Sequence, residues 1–189
     1  MSDILNRIRE EQDVFAKLLG KIPGFSGYVD RETRRAADKT LRETIASRYE
    51  ASWRKISGLQ RDLISQGGIM YINDLEGAAI KLRQFIDRVR TASYGYAGLF
   101  DAVKIRSEEL DQLYQYDLWL LTLLDEINRA IENVEVSLGT DGLQLAIRAL
   151  TRLAQEAIEA FERRSQAILG AVDAPSSDTP QLPQTPQSE

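Results

Sequence analysis

Apolar side chains recur at alternating steps of three and four between residues 107 and 138: Leu110, Leu113, Leu120, Leu124, Ile127, Ile131, Val134 and Leu138. This is a heptad seam, and Asp117 is its one polar member. Ser107 suits an N-cap, Glu108 and Glu109 suit the positive end of a helix, and Gly139 stops it. A helix with such a stripe is stable only when the stripe is covered, so the remaining segments should supply partners.

They do. Residues 1–22 form an amphipathic helix with Ile4, Leu5, Ile8, Phe15, Leu18, Leu19 and Ile22 on one face, ended by Pro23. Residues 29–65 read as one long helix whose apolar positions (Ala37, Leu41, Ile45, Tyr49, Trp53, Ile56, Leu59, Leu63) are spaced mostly by four. A stripe of that spacing drifts around the helix. Gln66-Gly67-Gly68 breaks it, with Gly67 placed for a left-handed cap. A helix over 72–92 follows, and the last helix, over 141–172, carries Leu143, Ile147, Leu150, Ala154, Ala157, Phe161 and Ile168. Residues 174–189 hold four of the five prolines and read as a disordered tail. No segment alternates like a strand. The expected fold is all-α: an elongated antiparallel helical bundle of about five helices over residues 1–173, with coiled-coil-like seams and a disordered Pro-rich C-terminal tail.

Composition narrows the chemistry more than the fold. Charged residues make up 28% of the chain, as long helices with one solvated face require, and the net charge is −5. That balance predicts no nucleic-acid partner. The chain has no cysteine and no histidine. Thiolate chemistry, imidazole bases and the usual metal ligands are therefore missing, and no cofactor, metal or catalytic set is expected. The acids within 1–22 argue against a signal peptide, and no window is apolar enough to span a bilayer. The expected location is the cytoplasm, with the inner face of a membrane as the alternative.

Several residues are candidates for an interaction surface. Asp117, flanked by Tyr114, Tyr116 and Trp119, could transfer protons from a seam. With no second catalytic group in sight, a structural Asp held by a Tyr or an Arg is the better reading. Arg31, Arg34 and Arg35, with Lys39 and Arg42, could meet anionic headgroups. Interleaved acids favour instead a solvated helix face. Ile4, Ile8, Phe15, Leu18 and Leu19 could enter a membrane interface, complete the bundle or contact a second copy. Tyr94, Tyr96 and Phe100 crowd a connection with two glycines. The helix of 107–138 has eight acids and one base, Arg129, and is expected beside the basic residues of 31–61.

In plan, an amphipathic first helix, a proline break and a long charged helix resemble the phage-shock membrane-remodelling proteins over the first third of the chain. Gly67-Gly68 departs from that plan by cutting the long hairpin short. The resemblance implies a peripheral membrane role of stress-response type. The residues themselves favour a non-catalytic interaction or scaffold protein, whose partner is another protein or a second copy.

Overall fold

Two tight turns set the plan of the molecule. At the first, Gly67 adopts φ +80° while its N–H bonds Ile64 C=O and the N–H of Gly68 bonds Leu63 C=O. Those two bonds satisfy carbonyls left open at a helix end, and the left-handed residue they need is a glycine. A short 3₁₀ turn, Ile69–Tyr71, then starts the return helix. The second turn passes through Gly139, beside Gln66 of the first.

The computed structural model describes residues 13–25, 27, 31–92 and 107–173, with side chains for 13–25, 27, 36–92 and 112–167. It contains α1 (13–21), α2 (Arg31–Ser65), α3 (Ile72–Thr91), α4 (Ser107–Val136) and α5 (Leu143–Asp173). The chain is an all-α bundle with no strand among the described residues. Helices α2 to α5 begin and end within a few residues of the sequence expectation, and the expected start of the first helix lies outside the described residues. Ile4, Ile8, Tyr94, Tyr96, Phe100 and the tail lie outside the described residues.

Antiparallel pairing holds inside each hairpin. Arg42 reaches Val89 near the open end of α2/α3, and Gln60 reaches Glu76 near its turn. The two hairpins, however, meet through parallel neighbours. Lys81 bonds Gln155 and Arg88 bonds Glu162, one heptad further on both α3 and α5. Tyr49 bonds the Leu120 carbonyl and Ser52 bonds Asn128, so α2 and α4 also run together. Around the bundle the order is α2, α3, α5, α4. Each helix turns its seam inward: Leu41, Ile45 and Ile56 on α2, Leu82 and Ile86 on α3, Leu120 and Ile127 on α4, Leu150 and Ala157 on α5. Phe85 lies between Tyr49, at 4.2 Å, and Phe161, at 6.0 Å between ring centroids.

Helix α1 lies along α2 and α4. Phe15 packs on Tyr114, Lys21 pairs with Asp125 at 2.8 Å, and Arg48 of α2 bonds the Lys21 carbonyl. Leu18 and Ile22 are fully enclosed. The chain then folds back over α1 at Gly27, where φ is +81° and a Cβ would stand 2.6 Å from the Phe15 ring. Among the described residues the interaction face expected of α1 is thus divided: Leu18 belongs to the core, Phe15 is half-buried and Leu19 is exposed.

Leu18→Ala should lower the free energy of unfolding by about 2–4 kcal/mol, the usual result of truncating an enclosed leucine. Leu19→Ala should change it by less than about 0.5 kcal/mol. Urea titration followed by circular dichroism separates the two, and equal effects would mean that α1 is not docked as described.

Candidate functional site

Asp117 occupies an inward seam position of α4, and α5 meets it with an arginine at the matching seam position. Arg164 follows Phe161 by three residues and precedes Ile168 by four, so the heptad aims it inward. Its Nε donates to Asp117 Oδ1 at 2.5 Å, and its Nη2 crosses the bundle to Asp38 Oδ1 at 2.8 Å on α2. The second Asp38 oxygen accepts from Arg42 Nε at 2.7 Å. Arg42 Nη1 in turn donates to the Val89 carbonyl at 3.2 Å, in the last turn of α3, where helix carbonyls lack internal partners. Two carboxylates and two guanidiniums thus tie all four long helices at one level, with Asp117 and Arg164 both 0% exposed.

This arrangement assigns Asp117 a structural role. Its carboxylate is held by the Arg164 guanidinium, and no solvent reaches it. A substrate could not touch it without opening the bundle. The Arg31–Arg42 stretch needs correction at one end. Lys39 pairs with Glu43 at 3.8 Å on the solvated face, but Asp38 and Arg42 are buried and belong to the ion cluster. The side chains of Arg31, Arg34 and Arg35, on the first turns of α2, lie outside the described residues. Arg164 escaped the sequence reading; the gap it fills in the Phe161–Ile168 seam was the available signal.

One level on, Tyr49 is enclosed and its hydroxyl donates to the Leu120 carbonyl at 2.8 Å. Burial, and more weakly the negative charge of Asp125, raise the Tyr49 phenol above its ordinary pKa.

Two surface features remain. Of the seven large apolar side chains exposed among the described residues, five sit at the turn end of the bundle: Ile64, Ile69, Met70, Val136 and Leu145. The other feature is a groove of about 550 Å³ where α3 and α5 run in parallel. Lys81, Arg148 and Arg152 line it against one acid, Asp74. Gly77 contributes to its wall from within a helix, where glycine costs about 0.5–1 kcal/mol relative to alanine. A Cβ there would meet nothing within 4 Å, so packing inside the chain does not demand the glycine.

Among the described residues no three carboxylates gather to hold a metal ion, and no helix is long and apolar enough to cross a membrane. Comparison with known proteins finds no matching family model, no matching curated protein and no matching solved structure.

Arg164→Leu should destabilise the bundle by about 3–5 kcal/mol, because it strands a buried carboxylate. Replacing all four ionic residues with apolar ones (Asp38→Leu, Arg42→Met, Asp117→Leu, Arg164→Met) should recover most of that loss in chemical denaturation. A quadruple variant no more stable than the single one would contradict this account.

For Tyr49 the sign follows from which state holds the proton. The unfolded chain releases it first as pH rises past about 10, so the contribution is complete below that pH and declines above it. The denaturation midpoint of the wild type should therefore fall more steeply than that of Tyr49→Phe above about pH 10. Parallel curves would remove the buried phenol from the explanation.

Proposed function

We propose that this chain is a non-catalytic interaction or scaffold protein that docks a protein partner on the turn end of its bundle. The observation that supports this is the distribution of exposed apolar surface. Single exposed leucines and isoleucines are ordinary. Here five large ones, each 56–76% exposed, gather where the two hairpin turns meet. Exposed apolar groups rimmed by polar residues mark interaction sites.

The rim also favours one kind of partner. Asp62, Asp74, Glu135 and Asp141 are exposed around this end, against Arg61 and Arg148. An apolar contact bordered by lysines and arginines would complement it. The same acids would be repelled by anionic lipid. The membrane alternative rests on α1, and an inserting α1 would have to withdraw Leu18 and Ile22 from the core. That makes the protein-binding reading the better supported of the two.

The paired substitution Ile69→Ser/Met70→Ser tests it, since both side chains are exposed and the fold should be unaffected. A protein retained by the immobilised wild-type chain should be lost from the double variant. Equal retention by both would exclude the turn end as the docking surface. Flotation of the wild type with anionic liposomes would favour the membrane alternative.

A further inference from the structure

We infer that copies of this chain stack side by side, the basic groove between α3 and α5 of one copy receiving the acidic outer face of α4 of the next. The inference rests on the reading as an interaction protein but uses a different surface, a groove that starts beside the turn end, shares Asp74 and Arg148 with its rim and runs on along the helices to Gln155.

The groove and its occupant are complementary in sign. Lys81, Arg148 and Arg152 face it against Asp74 alone. Because α3 and α5 run in parallel, their positive N-terminal ends stand together at its upper end, near Asn73 and Gln144. On α4, the exposed residues Asp125, Glu126, Glu132 and Glu135 set four acids against Arg129. The Asp125 carboxylate already pairs with Lys21, and the other three acids have no ion pair among the described residues. Gly77 lines the groove with bare backbone, and a Cβ there would stand in open space. A helix can therefore approach the α3 backbone closely there.

The geometry also selects the mode of association. Two grooves facing one another would oppose Arg148 and Arg152 to their own copies, so a two-fold contact through this surface is disfavoured. Groove and α4 face do not overlap, since α4 lies next to α5 and diagonal to α3. One copy can use both at once, and the contact repeats head to tail.

Sedimentation of the full chain provides the test. At low salt, about 20 mM, the mass should rise above the monomer's 21.3 kDa with concentration, and it should return to the monomer near 1 M salt, where charges are screened within about 3 Å. Arg148→Glu/Arg152→Glu and Glu126→Lys/Glu132→Lys should each weaken association at least about tenfold on their own. Mixed together they should associate again, because each then offers the sign the other lacks. Gly77→Leu should fold normally and fail to stack. Ile69→Ser/Met70→Ser should stack like the wild type, so failure of the turn-end reading and failure of this one are separable. A wild type that stays monomeric at low salt overturns the inference, as do charge-reversed variants that associate unchanged.

Discussion

Arg164 carries a full charge at a position with no exposed surface, and removing a guanidinium from water costs several kcal/mol unless opposite charges and hydrogen bonds replace the water. The lower half of the bundle is arranged to supply them. Asp117 comes from the neighbouring helix of the same hairpin, and Asp38 from the helix diagonally across. Arg42 then balances the second carboxylate and ends on the Val89 carbonyl. Helices α2, α4 and α5 each contribute charged groups, so none of the three can rotate or slide by a residue without stranding a charge, and α3 joins them through the Val89 carbonyl. Apolar seams tolerate such slips far better, because one leucine replaces another at little cost. We regard the cluster as the device that specifies register and helix order, in the way single polar seam residues do in coiled coils.

The same constraint shapes what the surface can do. With the strongest polar groups turned inward and mutually neutralised, the groups left outside are long charged side chains and a few apolar ones. The apolar ones gather at the turn end, bases line the groove between the first halves of α3 and α5, and acids predominate on the outer face of α4. An end for a partner and two flanks for further copies would suit the proposed scaffold. Helix α1 strengthens the frame, because Leu18 and Ile22 cover the side of α2 and α4.

Much of this was readable in the chain. Heptads on α4 and α5, the break at Gly67-Gly68 and the stop at Gly139 are local signals, and the helices stand where those signals put them. The buried Asp117 was readable as a polar seam residue with an arginine or tyrosine partner; which arginine was not. Asp38 and Arg42 were misread as solvated. Both continue the Ile45–Tyr49 seam backwards by steps of three and four, but they lie among five other charges on residues 31–39 of the same arc, and a charged side chain at a seam position reads as solvated unless its partners on other helices are known. The parallel contacts between hairpins were also out of reach, since an apolar seam accepts a neighbour running in either direction.

What the sequence by itself determined is therefore the set of helices, their turns, and the absence of thiol and imidazole chemistry, because these depend on residues near one another in the chain or on composition alone. Tertiary structure alone decided the order of helices around the core, the partners of Arg164, and which charged side chains face a groove. Those choices depend on desolvation at positions 47 and 126 residues apart, as in Arg164 with Asp117 and with Asp38, and no local pattern records what a side chain will be buried against.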